Sequence, residues 1–228
     1  YIEKAAELFG NAQSRKMGMV YLGTALKHHA APAPQALDSK QYSELRLIET
    51  SQLDFYSKPG LFGWDKIDQG SAFLVEQLPR ILLGSGRPPK SLLDLGCGYG
   101  YLTMMARDLA LERRVATDNN AAALLAMAKN AEHYALQIEV VADDVASELE
   151  PGFDLILCNP PFHQGFSVDG ALTDKFLRQT RRLLSPQGMA VFVVNQFIPL
   201  ERAAQKYFPV IDTVGRNPAF KLIRLARG

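Results

Sequence analysis

Two short stretches hold residues whose types and spacing can do chemistry: DLGCGYG at 94–100 and NPPF at 159–162. In the first, Gly96, Gly98 and Gly100 stand between a strand-like apolar run and a helical one. Backbone without Cβ atoms lets a ligand approach closely. The spacing is GxGxG with an acid at its head, not the GxGxxG that seats a pyrophosphate on a helix N-terminus. S-adenosylmethionine suits these residues because it carries no phosphate, but an ammonium, a sulfonium and a ribose diol. Asp94 can help hold the cationic end. Asp118, followed by Asn119, closes the next strand, and its carboxylate can accept both ribose hydroxyls. Asp144, or its neighbour Asp143, ends a third strand and can accept the adenine amino group.

The second stretch suits a flat, conjugated amino group. Such a nitrogen is a poor nucleophile because its lone pair is delocalised, so it must be oriented and its pyramidal form favoured. Asn159 offers a side-chain carbonyl and Pro160 a backbone carbonyl, two acceptors for the two N–H bonds. Asn159 also borders the cofactor crevice. Asn159 and Pro160 each precede a proline and are pushed to extended geometry, while Pro160 and Pro161 carry no competing donor. Phe162 is expected to stack on a planar acceptor. His163 reads as a polar loop histidine and not as a base. Cys97 and Cys158 read as fillers of small spaces; two cysteines without metal-ligand spacing imply no metal site and suit a reducing compartment.

The elements that must position these residues follow from residue 71 onward, where apolar runs of strand length alternate with helix-period stretches. That rhythm makes an α/β doubly wound domain with a mostly parallel sheet. Ser71 is expected to cap a helix over AFLVEQL that Pro79 kinks or ends. SLLDL, RVATD, QIEVVADD, FDLILCN and MAVFVVN read as strands; YLTMMARDLALE, AAALLAMAKNAEHY, ALTDKFLRQTRRLLS and a segment near 199–207 read as helices. VIDTV and FKLIRLA, joined by a short GRNPA turn, suit an antiparallel hairpin. Residues 1–55 break the rhythm, with a helix IEKAAELFG, a strand-like MGMVYLGTAL, a linker HHAAPAPQALDS and the strand pair YSELRLIE and SQLDFYS. This segment either packs on the main domain or is the remnant of a preceding one with its linker, and Ala, Pro and Gln favour a junction near 30–40, ahead of a catalytic domain over 56–228.

With 228 residues, 47% of them hydrophobic and 21% charged, the chain can bury one principal core, and no apolar run is long enough to span a bilayer. It begins at Tyr1 without a charged n-region or apolar h-region, and so reads as part of a longer protein and not as a secreted precursor. Net charge is only +1, yet Lys and Arg outnumber Asp and Glu 10 to 4 from residue 169 onward. Arg178, Arg181, Arg182, Lys206, Arg216, Lys221, Arg224 and Arg227 are candidates for phosphate contacts; a solvated helix face is the competing reading.

Together DLGCGYG, Asp118, NPPFHQG, LFGWDKIDQGS at 61–71 and the tail with NQFIPL and FKLIRLARG resemble the bacterial ribosomal RNA guanine-N2 methyltransferases of the methyltransferase small-domain family. Asn195, Phe197, Pro199 and the tail look more similar to the 16S rRNA enzymes than to the 23S rRNA enzymes. The resemblance implies a Rossmann-like class I fold with a seven-stranded sheet, S-adenosylmethionine as cofactor, and N2-methylguanosine made in 16S rRNA of the 30S subunit. It further implies a cytoplasmic monomer with another Rossmann-like domain ahead of this one, and a segment over the active site in which Phe62, Trp64 and Lys66 touch cofactor or target. As bare sequence, Trp64 is equally credible as packing. A glutamine-N5 or adenine-N6 methyltransferase is disfavoured by Phe at position 162. Intact Asp94, Gly96, Asp118 and Asn159 argue against a non-catalytic RNA-binding module, and GxGxG argues against an NAD-dependent oxidoreductase.

Overall fold

The computed structural model describes residues 2–18, 20–26, 44–164, 167, 168 and 170–228; the Ala- and Pro-rich linker and its expected junction near 30–40 lie outside them. The chain divides into two compact units, Tyr1–Glu44 and Leu45–Gly228. In the first, helix α1 (Ile2–Phe9) precedes an antiparallel hairpin of β1 (Ala12–Met17) and β2 (Val20–Ala25). The run read as one strand, MGMVYLGTAL, is therefore split: Met17 faces Val20 across a reversal that begins at Gly18.

The second unit opens with a short antiparallel pair, β3 (Arg46–Ile48) and β4 (Phe55–Ser57). It continues with α2 (Gln69–Gly84), β5 (Ser91–Leu95), α3 (Tyr101–Met105), β6 (Arg113–Asp118), α4 (Ala121–His133), β7 (Glu139–Ala142) and β8 (Phe153–Cys158). The two-residue strands β9 (His163–Gln164) and β10 (Ser167–Val168), α5 (Gly170–Leu183), β11 (Leu184–Asn195), α6 (Leu200–Ala204), β12 (Val210–Arg216) and β13 (Phe220–Ala226) complete it. Seven strands form one sheet in the order β12-β13-β11-β8-β5-β6-β7. β11, β8, β5, β6 and β7 run parallel, while β13 is antiparallel to both β11 and β12. This is the expected parallel sheet closed by an antiparallel hairpin. The strand order reverses at β5, which lies between β6 and β8, and in open α/β sheets the crevice for ligands lies beyond the strand ends at that point.

Apolar runs explain the sheet's burial. All five residues of β5 are buried, as are five of the six in β8, and helices cover both faces. One face packs Phe153, Phe176, Leu177 and Phe192; the other packs Leu74, Leu92, Leu102 and Met104. The β3–β4 pair, grouped by sequence with the first segment, belongs with this unit instead. Phe55 is fully buried and its ring stacks on Tyr99 at 4.2 Å. Buried Asn130 on α4 accepts the Tyr56 N–H at 2.6 Å and donates to the carbonyls of Tyr56 and Tyr99 at 2.9 and 2.8 Å. The division falls after Glu44 and not after residue 55.

Two helices differ from expectation. α2 is capped by Asp68, whose carboxylate accepts the Ser71 N–H at 2.8 Å, and it passes through Pro79 to Gly84. Pro79 forfeits one helical hydrogen bond, but it stands on the exposed face, and burial of Leu74, Leu78 and Ile81 holds the helix on either side of it. α3 stops at Met105, well short of the helix read to Glu112. The Arg114 guanidinium from β6 draws the following carbonyls out of helical geometry, donating to Arg107 O at 3.0 Å and Leu109 O at 2.6 Å.

Candidate active site

The glycine turn leaves β5 at the switch point and lies against the end of β6. Gly96 and Cys97 donate their N–H groups to the Thr117 carbonyl, and Gly98 N–H reaches Asp118 Oδ2 at 2.9 Å. Gly98 has φ +56° and, among the described residues, nothing within 4 Å of where a Cβ would stand, so that side of the loop is open. Gly100 is different. At φ +95° it N-caps α3, and a Cβ there would lie 2.0 Å from the Met127 sulfur.

Asp94 is 1% exposed. Its Oδ2 accepts from the Thr103 hydroxyl at 2.6 Å and the Thr103 N–H at 3.1 Å, while buried Oδ1 has no partner among the described residues. Burial outweighs these bonds and pushes its pKa up to about 6. A cationic or N–H donor at Oδ1 would offset that cost. Asp118 keeps free acceptor capacity: Oδ2 takes Gly98 N–H, Oδ1 takes Asn120 N–H at 2.9 Å, and each oxygen retains a lone pair for a hydroxyl. Asn119 beside it is exposed. The orphaned Asp94 oxygen, the open flank of Gly98 and the spare lone pairs of Asp118 fit S-adenosylmethionine.

At the end of β7 the structure separates two acids that sequence left as alternatives. Asp143 is taken up locally, Oδ1 by the Ser147 N–H and hydroxyl and Oδ2 by the Glu148 N–H. Burial pushes its pKa up, but these bonds outweigh it and the net shift is downward. Asp143 thus braces the loop through these bonds. Asp144 is exposed and forms an ion pair with Lys175 of α5.

Asn159 follows β8 directly. Its amide nitrogen donates to Asp68 Oδ2 at 2.7 Å and to the Ser71 hydroxyl at 2.8 Å, which consumes both N–H bonds and leaves Oδ1 as an acceptor. Pro160 O accepts the Phe162 N–H at 2.9 Å and keeps one lone pair. The loop offers acceptors, since two of its residues have no N–H and Phe162 has spent its own. Pro161 is exposed.

Phe162 requires a correction. It is fully buried, edge-on to Phe176 at 5.5 Å and stacked near Phe192 at 6.5 Å, so no face is open to an acceptor. It anchors the loop to the core. Among the described residues of this unit, the large exposed aromatics are Phe62, 80% exposed, and Phe197, 85% exposed, the latter just beyond Asn195 of β11. Trp64 is half-buried in the packing under α2, with the Arg46 guanidinium 5.7 Å over its ring, and Lys66 is exposed. The side chain of His163 lies outside the described residues.

The late basic residues are largely spent inside the fold. Arg181 donates to Tyr207 O, Arg182 to the carbonyls of Ala146, Ser147 and Leu149, and Arg227 to Leu184 O. Lys206, Lys221 and Arg224 pair with Asp174, Glu201 and Asp212. Of the eight, Arg178, Arg182, Lys206 and Arg216 are exposed, and of these only Arg178 and Arg216 have no hydrogen bond or ion pair named above. Cys97 and Cys158 are buried free thiols with pKa values pushed up by burial, in keeping with a filling role. No group of three or more His, Cys, Asp or Glu among the described residues is placed to hold a metal ion, and no helix among them is long and apolar enough to cross a membrane.

Sequence reasoning missed Asp68 and Thr103, and gave Ser71 a different duty. Asp68 carried a legible signal, a carboxylate immediately ahead of a helix; Thr103 carried none, since its role depends on α3 turning back over β5.

The chain is similar to Ribosomal RNA small subunit methyltransferase C of Hahella chejuensis, with 32% identity over 195 residues covering 85% of this chain and 55% of that protein. It is equally similar to the enzyme of the same name from Haemophilus influenzae, at 32% identity over 82% of this chain and 57% of that one. The chain thus spans little more than half the length of these relatives. Among solved structures, the T. thermophilus 16S rRNA N2 G1207 methyltransferase in complex with AdoMet and guanosine superposes with a TM-score of 0.74 at 26% identity, over 99% of this chain and 60% of that one. The ribosomal protein L11 methylase of Lactobacillus delbrueckii shares the fold, with a TM-score of 0.55 at 20% identity over 70% of this chain and 78% of that one. Residues 52–224 match the methyltransferase small domain, and the chain belongs to that family.

Proposed function

We propose that this chain transfers a methyl group from S-adenosylmethionine to the exocyclic N2 of a guanine in 16S rRNA, acting in the cytoplasm on the small ribosomal subunit. The observation that carries the reading is Asn159: its amide N–H bonds are both engaged, so its carbonyl is left to accept at the end of β8, beside the glycine turn of β5. Guanine is favoured over a glutamine or adenine acceptor by likeness to the 16S enzymes and to a structure solved with guanosine.

When bound, S-adenosylmethionine supplies an electrophilic methyl group on a sulfonium. Asp94 Oδ1 would hold its ammonium end, Asp118 would accept the ribose hydroxyls, and Asp144 would accept the adenine amino group. Asn159 Oδ1 and the remaining lone pair of Pro160 O accept the two guanine N–H bonds, turning the nitrogen lone pair toward the methyl group and favouring its pyramidal form. No base is required, because the nitrogen proton becomes acidic once the new bond forms and passes to water. Phe62 offers the exposed flat face that Phe162 lacks, and a guanine in folded RNA must be loosened or flipped to reach it.

The test is a tritiated-methyl assay offering naked 16S rRNA, 30S subunits and 50S subunits, followed by nucleoside analysis. Label in N2-methylguanosine from 16S rRNA or 30S subunits is expected. Label confined to protein or to 50S subunits overturns the proposal.

A further inference from the structure

We propose that Asp68 and Ser71 are positioning residues that fix the orientation of the Asn159 side chain, so that α2 sets which atom of that amide faces the acceptor. This inference rests on the function proposed above. An asparagine amide can sit in two orientations of nearly equal shape, one presenting oxygen and the other NH2. Presented the wrong way, Asn159 would offer a donor to an amino group that also donates.

The choice is made chemically. Asp68 as a carboxylate can only accept, so the amide atom 2.7 Å from its Oδ2 must be nitrogen. The second N–H reaches the Ser71 hydroxyl at 2.8 Å, and Ser71 is 7% exposed. Asp68 Oδ2 also accepts Ser71 N–H as the N-cap of α2, at 2.8 Å. One carboxylate oxygen therefore ties the start of α2 to the residue after β8, across 91 positions of sequence. Donation to an anion also shifts amide electron density onto Oδ1, making it a better acceptor.

Substitutions separate this role from capping. Asp68→Ser keeps a good N-cap but is too short to reach Asn159. Asp68→Asn retains one oxygen that can serve both partners. Ser71→Ala removes the second acceptor alone. Single-turnover rates, rRNA KM, cofactor Kd and melting temperature would be read for each, together with hydrogen-exchange protection of the Asn159 side-chain amide, assigned by its loss in Asn159→Ala.

We expect Asp68→Ser and Ser71→Ala to lower the rate about 10- to 100-fold, the scale set by losing orientation of a reacting group. Cofactor Kd and rRNA KM should stay within about twofold, Asp68→Asn should recover most of the rate, and amide protection should fall in the two slow variants. Unchanged rates in the Asp68→Ser/Ser71→Ala double variant overturn the proposal. So does a loss of cofactor affinity in step with rate, or an Asp68→Asn as slow as Asp68→Ser. Amide protection is read without any substrate, so wild-type protein that labels no guanine would sink the proposed function while the orientation of Asn159 is still tested.

Discussion

Gly98 and Gly100 stand two residues apart in the same turn, yet an added methyl group should do different things at each. At Gly98, φ +56° puts alanine in the left-handed region, which costs roughly 1–2 kcal/mol. Nothing among the described residues lies within 4 Å of the new Cβ, so the fold feels little more than that. At Gly100, the same order of backbone cost at φ +95° is joined by a contact 2.0 Å from the Met127 sulfur, itself fully buried. Overpacking of that kind adds about 1–3 kcal/mol. Gly98→Ala should therefore lower the melting temperature by about 2–8 °C and Gly100→Ala by about 4–20 °C, taking ~2–4 °C per kcal/mol for a unit of this size. Cofactor titration should rank them the other way relative to their stability loss, with Gly98→Ala losing at least about tenfold in affinity because its methyl group occupies the ligand's space. Thermal melts and calorimetric titration with S-adenosylmethionine read both quantities. A double variant, Gly100→Ala/Met127→Ala, should be less destabilised than the sum of the single changes, since each relieves the other's defect. Strict additivity in that cycle, or wild-type cofactor affinity in Gly98→Ala, would refute the reasoning.

Two further outcomes follow from buried groups. Asp94 has a folded pKa of about 6, raised by burial from 3.8, so its contribution to stability is fully present below pH 3.8 and is lost as pH rises through 6. The neutral-pH penalty is at most about 3 kcal/mol. Asp94→Asn should accordingly melt higher than the wild type without ligand, by a margin that grows from pH 4 to 7 and then levels, while cofactor affinity falls; a variant less stable at pH 8 contradicts this. Wild-type cofactor affinity should weaken as pH drops below 6, where Asp94 protonates. Phe162→Ala should cost about 3–5 kcal/mol by emptying a packed core site, whereas Phe62→Ala, exposed as it is, should leave the melting temperature unchanged and raise the rRNA KM. Equal melting of the two variants would show that Phe162 is not the anchor described.

What could be read from the sequence, and what could not, divides along the range of the interactions. β5, β8 and β11 are continuous apolar runs because helices cover both faces, and that local signal survives any detail of packing. The glycine turn and the proline pair are equally local, since backbone geometry alone demands those residues. α3 is shorter than its pattern because Arg114, one strand later, competes for its carbonyls. Phe162 shows the same limit at the site: an aromatic after two prolines suits stacking on a ligand, and only Phe176 and Phe192, contributed by later elements, turn it inward. The late basic residues suggested a polyanion surface, but most of their partners are carbonyls and carboxylates 12 to 43 positions away that no periodicity announces. Asp68 lies between these cases. Its capping role is local and was displaced by three residues because the apolar period begins at Ala72. Its bond to Asn159 spans the two motifs and exists only once α2 is laid beside the end of β8. Chemistry-bearing residues are thus legible where backbone conformation selects them; the groups that aim them are chosen by distant packing.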